Sequence, residues 1–461
     1  MRLTAASGNI RAMMSSNKSA LKASFLEARE DTLRLAAMVD DRDLSRSLHK
    51  EFSPLGWHIG HIGMFEALWV LQQTKGDPSL SKEYDFLFDP TQSPKPERVN
   101  LPVREKILDY LRSERQNVFE FLDSVSFETD NPLLKDGFIF HMVLEHEYQH
   151  QETMTLLLQM IDPAKKKKSK EIHKTGEATS NSTEAPQRSR MAARSSDAPE
   201  GMVLVPAGPF LLGSGGPHFV YDNEKLQHQV VLKDFFIDIH PVSNGAFLRF
   251  IMEGGYQERS LWMEEGWNWK EERNITSPRD WMNGTDRRWF TKEMFRLKEL
   301  QPDRPVVGVS WYEATAYGNL VGKRLPTEAE WEKAASWDSQ SNCKRRYPWG
   351  NKPPSKDRSN FGGAYWGTTP VGMFLDGKSP YGCLDVAGNV WEWTTTVFQG
   401  YPGFKAFPYR GYSEEWFDGK HKVLRGGSWA TRGPLLRSSL RNWYHPFVRE
   451  IFAGFRCAKD A

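Results

Sequence analysis

Between Asp162 and Glu200 the chain carries Lys165-Lys-Lys-Lys168 and many Ser, Thr, Ala and Pro, with scarcely a large apolar residue. Such a stretch cannot bury enough surface to offset the entropy of ordering it, so it reads as a disordered linker over 163–200. Its basic run can attract acidic partners, but a solvated tether explains it more economically. The linker splits a chain of 461 residues that is in any case too long for one core. The expected organisation is a flexible tail over 1–20, a helical bundle over 21–162 and a second domain over 201–461.

Before the linker, helical periodicity recurs over 24–40, 54–73, 103–124 and 138–159, with connections of mixed length, which describes a four-helix bundle. The stretch from Phe138 to Gln159 contains neither Gly nor Pro and spaces Ile139, Met142, Val143, Leu157 and Leu158 on one apolar face. It also sets His146 and His150 one turn apart, with Cβ atoms about 6 Å from each other. Neutral imidazoles suit Zn, Fe, Cu or Ni rather than Mg or Ca. Glu145, Glu147 and Glu152 lie beside them as ligands or as groups that orient the rings. An isolated pair of this kind equally suits a solvated helix face.

Metal sites in bundles are assembled from inward-facing side chains on different helices. The second helix contains Gly56-Trp-His-Ile-Gly-His-Ile-Gly-Met-Phe-Glu66, and either His58 or His61 can face the axis. If His61 does so it supplies a third imidazole, and His58 is left without an evident role. Further on, Ser93-Pro-Lys-Pro-Glu-Arg98 is stiffened by its prolines into a loop.

The totals exclude several functions. A net charge of +2 gives no basic field for nucleic acid, and three scattered cysteines, Cys343, Cys383 and Cys457, make no disulfide framework. No apolar run approaches a membrane span and the N-terminus lacks a secretory apolar core, so a cytoplasmic protein is expected. The first acidic residue is Glu27, and the preceding Arg, Lys, Ser and Ala read as a frayed tail rather than a transit peptide.

After the linker, 202–213 reads as a strand pair with a turn and 230–238 as a further strand. Short helices are expected over 244–252 and 311–320, with 305–311 a buried segment between them. Thr327 stands three residues before Glu330, a capping box at a helix start. Most of the 17 tryptophans fall after residue 260, in a part dominated by short strands and ordered loops plugged by aromatics.

Four segments of this part resemble, in order, the signatures of the formylglycine-generating-enzyme (sulfatase-modifying factor) fold. They are Arg324-Leu-Pro-Thr-Glu-Ala-Glu-Trp-Glu332, Tyr381-Gly-Cys-Leu-Asp-Val-Ala-Gly-Asn-Val-Trp-Glu-Trp393, Leu424-Arg-Gly-Gly-Ser-Trp429 and Ala453-Gly-Phe-Arg456. The resemblance implies a loop-rich fold of C-type lectin type, hence a multidomain α and α+β chain. The cysteine pair of the founding enzymes is replaced here by Ala430, Thr431, Leu435 and Leu436, which excludes their chemistry. The N-terminal part resembles the DinB-like bundle, and the fusion of the two resembles the ergothioneine-type sulfoxide synthases.

That resemblance implies a mononuclear nonheme iron(II) held by His61, His146 and His150. It implies a reaction that uses O2 to join a thiol sulfur to the imidazole C2 of N-alpha-trimethylhistidine (hercynine). By position, Tyr409 matches the catalytic proton donor and Tyr412 a substrate contact, in Pro408-Tyr-Arg-Gly-Tyr412. Gln149 and Asn442-Trp443 match the residues that hold the imidazole and its trimethylammonium group. At the sulfur donor the chain departs from the family. Where members using gamma-glutamylcysteine have two arginines and an aspartate, this sequence offers Lys95, Arg98 and Tyr444. A donor other than gamma-glutamylcysteine is therefore expected, such as free cysteine or a selenosugar, the latter as in the similar selenoneine synthases. The fold also implies a structural Ca2+ near Asn389 and Glu392. Competing expectations are a DinB-like metal-dependent hydrolase or transferase, and a non-catalytic binding module.

Overall fold

The computed structural model describes residues 3–77, 84–166, 199–216 and 218–461, with side chains from Lys18 onward except at Asp85. Most of the linker expected over 163–200 lies outside the described residues. The chain divides into two compact units, Met1–Ser169 and Lys170–Ala461.

Four long helices build the first unit: α1 (Leu3–Ala36), α2 (Leu55–Glu66), α3 (Arg104–Ser124) and α4 (Phe138–Met160). The helix α1 starts well before the expected 24–40, so the segment read as a tail over 1–20 is helical from Leu3. The helix α2 runs on as a π-helix over Ala67–Lys75 and stops at Gly76, whose φ of 78° is left-handed. Its glycines are contact points. A Cβ on Gly60 would lie 2.1 Å from the Phe88 ring, and one on Gly63 would lie 2.9 Å from Leu111. Neighbouring side chains thus pack directly on the α2 backbone.

One charged residue from each helix meets in the interior: Arg29 of α1, Glu66 of α2, Arg115 of α3 and Glu147 of α4. All four are buried. Arg29 donates from Nε to Glu147 Oε1 at 3.0 Å and from Nη2 to Glu66 Oε1 at 2.9 Å. Arg115 donates from Nη2 to Glu147 Oε2 at 2.6 Å and from Nε to Glu66 Oε2 at 3.0 Å. Two cations and two anions therefore close a neutral ring, and Thr32 Oγ1 adds a bond to Glu147 at 2.7 Å. Burial alone would raise the Glu147 pKa, but the Arg29 and Arg115 charges outweigh it and hold the carboxyl down at about 2.

In the second unit the strands are β1 (Met202–Val205), β2 (Gly208–Leu212), β3 (His228–Leu232) and β4 (Phe235–Asp238). The expected hairpin over 202–213 does not form: β1 pairs antiparallel with β4, and β2 with β3. The 230–238 run is correspondingly two strands in two sheets. Lys233 and Asp234 break it, and the Asp234 carboxylate accepts the Ala207 N–H, tying the break to the β1–β2 connection. Then come α5 (Asn244–Met252), α6 (Glu264–Glu272) and the antiparallel meander β5 (Trp281–Asn283), β6 (Trp289–Glu293) and β7 (Arg296–Glu299). They are followed by α7 (Trp311–Leu320) and α8 (Glu328–Ser336).

The capping box starts α8 as expected, with Thr327 Oγ1 accepting from Glu330 N at 3.1 Å and Glu330 Oε2 from Thr327 N at 2.7 Å. A four-stranded sheet in the order β10-β9-β8-β11 follows, from β8 (Trp391–Val397), β9 (Lys422–Arg425), β10 (Asn442–Tyr444) and β11 (Ala453–Gly454). Its β11 edge is parallel to β8. The last strand, β12 (Ala458–Asp460), completes the sheet β1-β4-β12. Trp331 and Trp393 are among the largest fully buried side chains, as plugs of a loop-rich core. Among the described residues no helix is long and apolar enough to cross a membrane.

Candidate metal centre and aromatic cluster

In the bundle, α2 and α4 turn His61, His146 and His150 toward one point, their donor atoms all within 4.8 Å of one another. The ring centroids lie 5.1, 4.8 and 4.4 Å apart with interplanar angles of 61°, 64° and 57°, so ring edges rather than faces converge. His146 Nε2 and His150 Nε2 are 3.1 Å apart. Two nitrogens about 2.1 Å from one ion, at a right angle, would lie about 3 Å apart. The donor set thus fits a transition metal.

Each ring is oriented by a different neighbour. His61 donates its Nδ1 proton to Phe88 O at 2.7 Å, which leaves Nε2 as its lone-pair atom. Its ring also stacks on Trp57 at 4.7 Å, and the Arg98 guanidinium sits 4.4 Å over that same indole. His146 stacks on Phe65 at 3.6 Å. His150 meets His58, Nδ1 to Nδ1, at 2.9 Å. Glu147, expected among the groups that orient the imidazoles, is instead engaged by Arg29, Arg115 and Thr32. Glu145 and Glu152 are buried on the same helix.

Burial, and then neighbouring imidazoles, push the histidines down: His58 to about 3, His146 and His150 well below the usual value. For His61, burial likewise dominates and sets it at about 4. All four rings are therefore neutral at pH 7, the form in which imidazole binds metals.

The other expected residues of this unit separate. Gln149 lies three residues after His146 and next to His150, on the same side of α4, and is half-buried. Lys95 is exposed, 3.0 Å from Glu51 O. Arg98 is buried, and its guanidinium is committed to Ser93 O at 2.9 and 2.7 Å, Pro90 O at 2.9 Å and Ser53 Oγ at 2.9 Å. Arg98 thus knits a loop and supports Trp57 rather than offering an open fork to a ligand. Buried loop carbonyls need donors, and this arginine meets that need.

In the second unit Tyr409, Tyr412 and Trp443 form an aromatic cluster. Tyr412 lies 6.5 Å from Tyr409 and meets Trp443 edge-on at 5.8 Å. Tyr221 stacks on Tyr412 at 4.1 Å, and Phe398 on Trp443 at 4.0 Å. Burial first, then the charges of Asp222 and Glu415, push the Tyr409 phenol well above its ordinary pKa.

Asp222, absent from the sequence-based set, accepts from Phe407 N at 3.1 Å and from Ser413 Oγ, clamping both ends of the loop that carries the two tyrosines. Arg441, just before β10, donates to Glu328 Oε1 at 2.7 Å and to Asn223 O at 3.0 Å, which anchors the strand. Asn442 and Trp443 are consecutive on β10 and so point to opposite sheet faces, and only Trp443 joins the cluster. Tyr444 shares the Asn442 face and is cross-strand from Lys422.

The proposed calcium ligands do not fit that ion. Glu392 accepts from Arg456 through both oxygens at 2.7 Å and from Trp331 Nε1 at 2.7 Å. Asn389 Oδ1 accepts from Thr369 N at 2.9 Å. Both side chains satisfy protein donors, which a cation would have to displace. Another grouping, Asp418, His421 and His445, differs from the bundle cage. Its rings stack nearly face to face at 3.9 Å and 27°, and Asp418 Oδ1 accepts from His421 Nδ1 at 3.0 Å.

The Sulfatase-modifying factor enzyme 1-like domain family matches residues 187–461, and the DinB superfamily residues 24–154. Hercynine oxygenase from Mycolicibacterium smegmatis is 37% identical over 94% of this chain and 97% of its own length. That from Mycolicibacterium thermoresistibile is 37% identical over 96% and 95%, and that from Mycobacterium tuberculosis 37% over 94% and 97%. A DinB-type bundle with a three-histidine cage, followed in one polypeptide by a sulfatase-modifying-factor-type unit and matched end to end by these relatives, places the chain in the hercynine oxygenase family.

Proposed function

We propose that this chain is a nonheme iron(II) enzyme that uses O2 to join a thiol sulfur to the imidazole C2 of hercynine as a sulfoxide. The observation that supports it most is the convergence of three neutral, desolvated imidazoles in a chain so similar to hercynine oxygenases. Iron(II) held by His61, His146 and His150 would supply open positions for the sulfur and O2. Gln149, on the ligand face of α4, hydrogen-bonds the hercynine imidazole, and Asn442 assists in holding that substrate. Trp443 and Tyr412 present aromatic faces to the trimethylammonium group, where a desolvated cation gains about 1–2 kcal/mol. Tyr409 keeps its proton at neutral pH because burial raises its pKa, so it is competent as the proton donor.

The sulfur donor is not gamma-glutamylcysteine. Arg98 is committed to loop carbonyls, Lys95 remains as a point charge without a fork, and Tyr444 carries no charge to pair with an ammonium group. Free cysteine and a selenosugar are the donors to compare, the second making the enzyme a selenoneine synthase. Purified protein loaded with iron(II) is given hercynine, O2 and each donor separately, with oxygen uptake and product mass recorded. Hercynine-dependent oxygen uptake that disappears in His146→Ala is expected. Tightly bound zinc without oxygen uptake would instead favour a DinB-like hydrolase, and full turnover on gamma-glutamylcysteine would overturn the donor assignment.

A further inference from the structure

The bundle contains a fourth histidine that the three-ligand cage does not use. His58 is buried, one helical turn before His61, and its Nδ1 lies 2.9 Å from Nδ1 of His150. The three rings His58, His150 and His146 form a chain, since the far nitrogen of His150 lies 3.1 Å from His146 Nε2. Both outer ends of this chain, His58 Nε2 and His146 Nδ1, are buried without a hydrogen-bond partner. Nothing at the His146 end dictates where its proton sits, whereas at the His58 end the Ser53 backbone carbonyl favours a protonated ring nitrogen. Every His–His contact in it needs one donor and one acceptor nitrogen.

A cation in the cage removes that freedom. Bound there, it would take the Nε2 lone pair of His150, so the proton of this neutral ring would reside on Nδ1, which faces His58 Nδ1 at 2.9 Å. We infer that His58 is a positioning residue for the metal centre: its Nδ1 lone pair accepts the Nδ1 proton of His150 and fixes that ligand's tautomer and ring orientation. The inference rests on reading the cage as a metal centre, though not on the identity of the substrates. In this role His58 does for His150 what the Phe88 carbonyl does for His61. Such partners raise ligand basicity and commonly change metal affinity 10- to 100-fold when removed. His58 must then carry its own proton on Nε2, the atom left without a partner.

Two measurements on the full chain test this. In the first, cobalt(II) is titrated anaerobically into wild type, His58→Leu and His58→Asn, with His146→Ala as the ligand-loss control. The inference expects His58→Leu to bind about 10- to 100-fold more weakly at unchanged stoichiometry. His58→Asn should recover most of the loss, because an Asn carbonyl oxygen occupies the position of the imidazole Nδ1 and can only accept. In the second, nitrogen-15 NMR of the zinc-loaded wild type reads the tautomer of each ring. Protons on Nδ1 of His150 and on Nε2 of His58 support the role. A proton on His58 Nδ1, or His58→Leu binding cobalt as tightly as wild type, overturns it while leaving the cage intact. Failure of wild type to bind one ion in a His146-dependent manner overturns the cage reading and this inference together. Should His58→Leu not fold, the NMR measurement on wild type decides alone.

Discussion

Replacing Glu147 by Ala removes one member of the buried ring that joins all four bundle helices. Arg29 and Arg115 would then share Glu66 alone, leaving an uncompensated positive charge among side chains that are nearly solvent-free. Breaking a buried pair in this way costs about 3–5 kcal/mol, a large share of the roughly 5–15 kcal/mol that separates folded from unfolded domains. At about 2–4 °C per kcal/mol for a domain of this size, the bundle's melting temperature should fall by about 6–20 °C. Urea unfolding followed by far-UV circular dichroism, which the bundle helices dominate, measures the loss. A double-mutant cycle with Arg29→Met then isolates the pair, and the double variant should be less destabilised than the sum of the two single ones. The ring also sets an acid limit. Because the folded-state Glu147 pKa is depressed from 4.5 to about 2, its contribution is present in full above pH 4.5 and is lost as the pH falls toward 2. A loss below about 1 kcal/mol for Glu147→Ala, or strict additivity in the cycle, would refute the view that the ring is a coupled unit.

In Gly60→Ala the new Cβ would meet the Phe88 ring at 2.1 Å and displace the residue whose carbonyl holds the His61 proton. Cobalt affinity should fall about tenfold with a stability loss of about 1–3 kcal/mol, both read from titration and urea unfolding. Arg98→Lys forfeits the bonds to Ser93, Pro90 and Ser53 and the stack on Trp57, so it should cost about 1.5–3 kcal/mol in urea while leaving the KM for the sulfur donor unchanged. A raised donor KM at normal stability would return Arg98 to the substrate. Tyr409→Phe should retain hercynine binding by calorimetry but divert turnover toward thiol oxidation, and an unchanged product ratio would count against its role as proton donor. Since burial raises the Tyr409 pKa, ionisation of this phenol should cause no loss of activity in a pH profile up to about pH 10.

Part of the cage was legible because helical spacing speaks locally: His146 and His150 declare themselves by the i, i+4 rule, whereas helix position left His58 and His61 as alternatives for the third imidazole and the family resemblance pointed to His61. His58 was visible for the same reason but had no partner on its own helix to explain it. The ionic ring was not legible. Arg29, Glu66, Arg115 and Glu147 each stand alone on a separate helix, where a single charge reads as a solvated position, and only the packed bundle shows them as mutual counter-ions. The bonds of Arg98 were not legible either, since nothing in a proline-rich loop announces which carbonyls its arginine serves. In the second unit the aromatic pair Tyr409 and Tyr412 was found, whereas Asp222 was not, because its partners at Phe407 and Ser413 are remote in sequence. The turn after β1 misled for a comparable reason. A short loop between two apolar runs is the usual mark of a hairpin, but each strand found its hydrogen-bond partner further along the chain.

Adjacent residues of α2 and α4 serve both buried assemblies at once. Phe65 packs on His146 while Glu66 and Glu147, their immediate neighbours, belong to the ring. Anyone transplanting the three histidines into another helical scaffold would therefore inherit an incomplete instruction. The rotation of each helix about its own axis, on which convergence of the imidazoles depends, is locked by charges one residue away. A successful graft would have to carry Arg29, Glu66, Arg115 and Glu147 along with the ligands, or supply another lock of equal angular precision.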